Sequence, residues 1–215
     1  MNLSEYKKYT YPFLRYEFNN CFDGNMLQEI NAMIENNDQE ENNKQKENNE
    51  NQKRITSNYE GKRINNKHRC FITNEYLKNN KQYIHLQELI KYLQKDEVIQ
   101  FFETIGNISL KDCYLRIEII LDKENFWLEK HKDISEKKIS FLIYINDNNE
   151  DTNNGTDLYD EDLTLAHSIP FIHNLGYVFF PANNTWHGLE KGKNINHRKC
   201  VLINYVTFKT DFKLW

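Results

Sequence analysis

The feature that most constrains the fold is a series of short β-rich stretches in the second half of the chain. From Cys113 onward, stretches rich in Ile, Val, Phe and Tyr alternate with clusters of Asn, Asp, Gly and Pro. These stretches read YLRIEIIL, FWLEKHKD, KISFLIYIN, GTDLY, GYVFFP and KCVLINYVTF. Many short strands at this spacing, with no helical pattern between them, predict an antiparallel sandwich or barrel rather than a doubly wound parallel sheet.

A different hydrophobic period precedes these stretches. Apolar residues recur at helical spacing after Asp23-Gly24, and again at steps of three and four residues from 83 to 105. The second pattern predicts one helix, or two helices that break near Lys95-Asp96. We therefore predict an α+β protein in which residues 1–112 are mainly helical support and residues 113–215 form the β core.

One segment of the first half has no apolar residue to bury. From 36 to 52 every side chain is Asn, Asp, Gln, Glu or Lys. Such a segment cannot offset the entropy that ordering would cost. We predict a disordered surface insertion at 36–52 within a single domain that spans 1–215, and a partner-binding segment is the alternative.

Charge and cysteine content exclude several classes of protein. The net charge is −4, from 28 Lys and Arg against 32 Asp and Glu, so no general basic field is available to attract nucleic acid or an anionic membrane. No apolar run approaches the roughly 18 residues that a membrane helix needs, and the amino terminus does not have the pattern of a secretory signal. The four cysteines are scattered. We therefore expect reduced thiols in a cytoplasmic protein.

His131 and Asp133 are the first residues that suggest chemistry. Residues two apart in an extended segment project to the same face, so these two side chains converge while Lys132 points away. His187, in FFPANNTWHG, adds a second imidazole after a predicted strand. Two His and one carboxylate form a facial triad, which suits an iron(II) ion that must bind a chelating cosubstrate and dioxygen together. The alternatives are a surface hydrogen-bonding pair at the first two residues and a loop-capping role for His187 beside Trp186.

Arg198 follows His187 by eleven residues and opens the stretch RKCVLINYV. The alternation of this stretch puts Arg198 on the same face as Cys200. A guanidinium on the inward face of a barrel strand is costly unless it meets an anion. A bidentate carboxylate ligand would supply one, and an internal salt bridge to Glu118 or Asp157 is the alternative.

With these residues the chain resembles the iron(II)- and 2-oxoglutarate-dependent dioxygenases, particularly their prolyl-hydroxylase-like branch. The resemblance covers residues 114–208, in order and with family-like spacing. The matching segments are HKD at 131–133, FLIYIN at 141–146, GTDLY at 155–159, FFPANNTWHG at 179–188 and HRKCVLINYV at 197–206. The resemblance implies a double-stranded β-helix, or jelly-roll, core with supporting N-terminal helices.

The resemblance also implies a catalytic centre and its cofactors. By position, His131, Asp133 and His187 would be the iron ligands. The cofactors would be iron(II), 2-oxoglutarate as cosubstrate and dioxygen, with ascorbate in a supporting role.

The resemblance further implies a cosubstrate site. Arg198 would bind the distal carboxylate of 2-oxoglutarate, and Tyr144 matches a tyrosine whose hydroxyl often supports that carboxylate. The alternative for Tyr144 is an ordinary strand aromatic. Many relatives have Ser or Thr two residues after the arginine, where this chain has Cys200, and a thiol is a poorer hydrogen-bond donor.

The substrate is expected to be a small metabolite or a sugar-type molecule, hydroxylated with release of succinate and CO2. Substrate choice would depend on elements outside the matching segments. We assign this role to Arg116 and Trp127, together with the helical first half, the neighbourhood of 67–69 and the loop 160–171. Neither nucleic acid nor a membrane is expected as a partner. The alternatives are a cupin-like metal-dependent sugar-modifying enzyme without 2-oxoglutarate, a protein prolyl- or lysyl-type hydroxylase, and a catalytically silent binding module.

Overall fold

The computed structural model describes residues 1–44, 67–124, 126–145, 152–190, 193 and 197–214. Its helices are α1 (Gly24–Lys44), α2 (Asn74–Asn79), α3 (Ile84–Leu93) and α4 (Asp96–Gly106), and a short 3-10 turn covers Thr152–Asn154. Its strands are β1 (Tyr6–Tyr9), β2 (Arg15–Phe18), β3 (Lys67–Phe71), β4 (Tyr114–Lys123), β5 (Leu128–His131), β6 (Lys137–Tyr144), β7 (Asp157–Tyr159), β8 (Leu165–Ser168), β9 (Gly176–Phe179), β10 (His187–Leu189), β11 (His197–Val206) and β12 (Phe212–Lys213). No helix in these ranges is both long and apolar enough to cross a membrane.

The strands form two antiparallel sheets. The major sheet has eight strands in the order β1-β2-β9-β6-β11-β4-β12, with β3 also paired to β4. The minor sheet has four strands in the order β5-β10-β7-β8. All six β-rich stretches of the second half contain a strand, namely β4, β5, β6, β7, β9 and β11. The predicted antiparallel β core is therefore confirmed.

The major sheet is buried on both faces because its strands alternate between two apolar sets. On β4, for example, Ile117 and Ile119 belong to the core that also contains the buried faces of α1, α3 and α4. Ile120, on the other face of β4, packs in a second core with Leu158 of the minor sheet. The helices thus cover the outer face of the major sheet, and the inner face meets the minor sheet.

The helical part of the first half agrees with the predicted pattern. The break near Lys95-Asp96 separates α3 from α4. Asp23 begins α1 as a cap, since its Oδ1 accepts a hydrogen bond of 3.0 Å from the Met26 backbone N–H. The backbone of α1 remains helical as far as Lys44, into the segment predicted to be disordered; Glu, Gln and Lys tolerate a helix well. Residues 45–52 lie outside the described residues.

Three strands of the first half were not expected from its pattern. The hairpin of β1 and β2 extends the major sheet beyond β9, and β3 pairs with β4. These strands are four or five residues long and rich in charged side chains. Their own sequences carry little strand signal, so pairing with the neighbouring strands determines their structure.

Candidate metal centre

The two sheets bring His131 and His187 together. His131 is the last residue of β5 and His187 the first of β10, and the two are directly opposite each other in the antiparallel pair. Their ring centroids are 4.3 Å apart. Phe179 of the major sheet lies 4.9 Å from the His187 ring. Both imidazoles are buried.

Backbone carbonyls set the orientation of both rings. His131 Nδ1 lies 2.8 Å from the Glu129 carbonyl oxygen, and His187 Nδ1 lies 2.9 Å from that of Thr185. A carbonyl oxygen only accepts, so each Nδ1 carries the proton and each Nε2 of the neutral ring keeps a lone pair. Histidines that bind a metal typically donate the hydrogen of their other ring nitrogen in this way, which fixes the orientation of the ring.

Burial keeps the two imidazoles neutral. It lowers the pKa of His131 to about 3, with a further contribution from His187 beside it. Burial also lowers the pKa of His187. Both rings are therefore available as neutral nitrogen donors over the physiological range of pH.

Asp133 lies two residues beyond His131, in the loop that leads to β6. Its Oδ1 lies 2.7 Å from the Lys137 ammonium, and its Oδ2 accepts a hydrogen bond of 2.5 Å from the Ser140 hydroxyl. Burial alone would raise the pKa of Asp133, but the charge of the Lys137 ammonium lowers it, and this pKa lies well below its ordinary value. Asp133 is thus a carboxylate held at both oxygens.

The three side chains can hold one metal ion. A ligand atom from each of His131, Asp133 and His187 lies within 4.8 Å of the other two. Two imidazole nitrogens and one carboxylate are the donor set that leaves open positions on iron(II). The residues therefore fit the metal that the sequence predicts, and the tripeptide at 131–133 is not merely a surface pair.

Arg198 lies on the inner face, as its strand alternation predicts, and it is 5% exposed. Its Nη1 lies 2.6 Å from Asp122 Oδ2 on the neighbouring strand β4, and its Nη2 donates to Thr156 Oγ1 at 3.0 Å. The internal salt bridge that the sequence left open is thus present, but the expected partners were wrong. Glu118 and Asp157 bind other cations, because Glu118 faces Arg69 and Arg116 while Asp157 faces Lys193.

Arg198, Asp122 and Thr156 form a buried cluster, the Arg198 cluster, and Tyr144 is part of it. It is fully buried, its hydroxyl donates to Thr156 Oγ1 at 2.8 Å, and it accepts from the Thr156 backbone N–H at 2.8 Å. The Arg198 guanidinium lies 5.3 Å from the centre of its ring. Cys200, also fully buried, pairs with Tyr144 across β11 and β6. The Thr156 hydroxyl thus contacts both Arg198 and Tyr144, and Tyr144 has polar contacts that an ordinary strand aromatic does not need.

Sequence reasoning missed two residues of this cluster. Asp122 is four residues after Glu118 on β4, so strand alternation places both on the inner face. Thr156 is two residues before Leu158, which packs in the inner core. The same period-two argument that was applied to Arg198 would have found both.

Arg116 and Trp127, the two residues predicted to contact the substrate, lie on different elements. Arg116 is on the inner face of β4, where its Nη2 forms an ion pair of 3.1 Å with Glu118 Oε1. Trp127 is half-buried and precedes β5. Their roles stay predictions.

Comparison with solved structures agrees with this architecture. A Pseudomonas putida prolyl-4-hydroxylase superposes with a TM-score of 0.59 at 12% identity, over 91% of this chain and 93% of that one. A Trichoplax adhaerens prolyl hydroxylase, in complex with a peptide fragment of the hypoxia inducible factor, gives 0.59 at 16%, over 90% and 83%. A prolyl 4-hydroxylase from Phytophthora capsici gives 0.60 at 12%, over 92% and 60%. No protein-family model and no curated protein matches in sequence.

At these identities the comparisons show the fold. The chain has a double-stranded β-helix like that of these prolyl hydroxylases, with helices that support the major sheet. The fold predicted from the resemblance is confirmed.

Proposed function

We propose that this protein is an iron(II)- and 2-oxoglutarate-dependent oxygenase that hydroxylates a small metabolite or sugar-type molecule and releases succinate and CO2. The observation that carries the proposal is the convergence of His131, Asp133 and His187, with ligand atoms within 4.8 Å of one another, in a double-stranded β-helix. The donor set fits iron(II). Solved prolyl hydroxylases have a similar fold and are the precedent for hydroxylation.

The residues of the centre would act by holding the metal and keeping the site dry. The Nε2 atoms of His131 and His187 and one oxygen of Asp133 would be the ligands. Bound iron(II) supplies the redox chemistry that couples oxidation of a keto acid to hydroxylation of a carbon-hydrogen bond. Phe179 packs against His187 and limits the access of water to that ring.

The cluster around Arg198 would hold the far end of the cosubstrate. Asp122 fixes one edge of the guanidinium, while Thr156 and Tyr144 place two hydroxyl groups beside the other. A carboxylate that enters this cluster would receive charge-assisted hydrogen bonds from a group that is already oriented. An inward arginine of this kind supports the oxygenase over the cupin-like alternative, which does not require it.

Hydroxylation of a protein is the second candidate. The Trichoplax neighbour holds a peptide fragment, and this chain shares its fold over 90% of its length. The two candidates differ in substrate and share the chemistry at the metal.

The test is turnover of the cosubstrate. The purified protein, supplied with iron(II), ascorbate and 2-oxoglutarate, is expected to consume dioxygen and to form succinate, slowly without substrate and faster when a metabolite mixture contains the substrate. His187→Ala is expected to abolish both signals and the binding of one equivalent of cobalt(II), measured by calorimetry. Cobalt binding without succinate formation under any condition would favour the cupin-like enzyme. Acceleration by peptides alone would favour the second candidate.

A further inference from the structure

Arg116 lies between two exposed aromatic rings on the inner face of the major sheet. Its guanidinium carbon is 4.8 Å from the centre of the Phe71 ring and 5.7 Å from that of Phe208. Phe71 is 45% exposed and Phe208 is 37% exposed. Large apolar side chains that remain in contact with water around a fixed cation are typical of a binding surface.

The charges around Arg116 do not balance. Glu118 is 1% exposed and pairs with two different arginines, since its Oε2 accepts a hydrogen bond of 2.9 Å from Arg69 and its Oε1 lies 3.1 Å from Arg116 Nη2. Among the described residues, Asp122 lies beside Arg198, Asp133 beside Lys137 and Asp157 beside Lys193. The group of Arg69, Arg116 and Glu118 therefore keeps one net positive charge, which an anion would neutralise.

The position of this group relates it to the candidate metal centre. Arg116 pairs with Asn204, and Asn204 pairs with Ser140, across three neighbouring strands. Ser140 donates to Asp133, one of the proposed iron ligands. Two strand spacings separate the backbones of Arg116 and Ser140 by about 10 Å. A substrate of modest length could reach both places.

We propose that Arg116 and Arg69, with Phe71 and Phe208, form a subsite for an anionic group of the substrate, a phosphate or a carboxylate next to an apolar or ring portion. This inference rests on the proposed function, since it makes the anion a handle that directs the rest of the substrate toward the metal centre. The arginines hold the charge, and the two rings contact the adjacent portion.

The probes for this subsite are phenyl phosphate, benzoate and the neutral benzyl alcohol. Each is titrated by calorimetry into anaerobic protein saturated with cobalt(II) and 2-oxoglutarate, so that the Arg198 cluster is already occupied. One of the two anions is expected to bind, and which of them binds more tightly distinguishes phosphate from carboxylate. Benzyl alcohol is expected to bind at least about tenfold more weakly.

The variants are designed to move the affinity in opposite directions. Arg116→Gln is expected to weaken anion binding about tenfold or more, and Phe208→Ala, at an exposed ring, to weaken it less. Glu118→Gln keeps the shape of the side chain and removes the negative charge, so it is expected to tighten binding. Lys111→Gln, an exposed site elsewhere with the same change of charge as Arg116→Gln, is expected to change nothing.

The outcomes separate this inference from the proposed function. The subsite would be overturned, even if succinate forms, if neither anion binds. It would also be overturned if Arg116→Gln and Glu118→Gln, in correctly folded protein, leave anion binding unchanged. An anion that binds as described to protein that forms no succinate would support the subsite and contradict the proposed function. Thermal unfolding of each variant shows whether it has folded. If Arg116→Gln or Glu118→Gln does not fold, Phe208→Ala still tests the subsite.

Discussion

At the scale of single residues, Asp133 shows how neighbouring side chains prepare a ligand. Its two oxygens are held by Lys137 and Ser140, at 2.7 and 2.5 Å. The serine orients the carboxylate without adding charge, whereas the lysine adds a positive charge beside the place that a cation would occupy. Of the two contacts, only that of Lys137 opposes metal binding electrostatically.

Lys137→Met is expected to tighten the binding of divalent metal several-fold, because it removes the charge that opposes the ion while Ser140 still holds Asp133. The measurement is the cobalt(II) dissociation constant by calorimetry at constant pH and ionic strength. Lys138→Met, with the same change of charge one residue further along the strand, is the control. Equal affinity in the two variants would show that Lys137 does not act on the centre.

Arg198→Lys is expected to weaken 2-oxoglutarate binding because the ammonium keeps the charge and loses the planar fork, and Arg198→Ala to weaken it further, by roughly 2 to 5 kcal/mol. Arg198→Ala also removes the guanidinium that pairs with the buried Asp122 carboxylate. The stability of this variant is therefore measured in parallel. Thr156→Val, which removes only the hydroxyl between Arg198 and Tyr144, is expected to weaken binding by a smaller amount with little change in fold. The cosubstrate is titrated into anaerobic protein. An Arg198→Ala protein that binds 2-oxoglutarate like the wild type would contradict the anchor role.

At the scale of elements, the segment before β7 places Thr156 in the Arg198 cluster. The backbone of this segment packs directly against the backbone that follows β8. A Cβ placed on Gly155 would overlap the Ile169 carbonyl oxygen and lie 3.0 Å from the Phe171 nitrogen. Both are backbone atoms of the chain that follows β8, so neither can move aside cheaply. Glycine is required here by the close approach of two segments.

Gly155→Ala is therefore expected to destabilise the protein by about 1 to 3 kcal/mol and to weaken 2-oxoglutarate binding, since relief of the overlap displaces Thr156. Gly24→Ala is the matched control, because a Cβ there has no atom within 4 Å among the described residues. Thermal unfolding and cosubstrate titration of the two variants give the comparison. A Gly155→Ala protein as stable as the control would mean that the two segments do not pack so closely in solution.

The polar segment at 36–52 gives a second prediction at this scale. Asn36 belongs to the packed helix, since its Nδ2 donates to the Tyr83 hydroxyl at 3.0 Å. Replacement of 37–52 by a short Gly/Ser linker is expected to leave the melting temperature within about 2 °C, because the segment has no apolar side chain to bury. A loss of several degrees would show that it packs against another part of the protein.

At the scale of the whole molecule, burial of the major sheet on both faces encloses many groups that lose a proton at high pH. Burial raises the pKa of Cys21 to about 12, and it also raises the pKa values of Tyr144, Tyr177 and Tyr205. In the unfolded chain these groups ionise near their ordinary values, whereas in the folded protein they remain protonated. The folded state therefore binds more protons than the unfolded state above about pH 9.

Stability is consequently expected to be full below about pH 9 and to fall as the pH rises through the range of 9 to 12. The melting temperature is measured from pH 7 to 10.5 at constant ionic strength. Cys21→Ala is expected to flatten the early part of this decrease, because it removes one of the buried thiols, which ionise before the tyrosines in the unfolded chain. A melting temperature that stays constant over the whole range would contradict the assigned burial of these groups.

The sequence by itself determined the period-two strands of the second half, the helical character of residues 83–105 and the inward direction of Arg198. These features follow from local periodicity, which the chain carries residue by residue. The family resemblance added the double-stranded β-helix and the iron ligands as expectations, and the structure confirmed the fold and brought the three proposed ligands together.

Only the tertiary structure decided which residues meet across the sheets. The pairing of Arg198 with Asp122 rather than Glu118 or Asp157 depends on the register between β11 and β4, and no local pattern contains that register. The charged strands β1, β2 and β3 likewise form because neighbouring strands supply the hydrogen-bond partners that their own residues do not predict. Local periodicity specifies which face a side chain occupies, whereas its partner on that face is set by contacts between segments far apart in sequence.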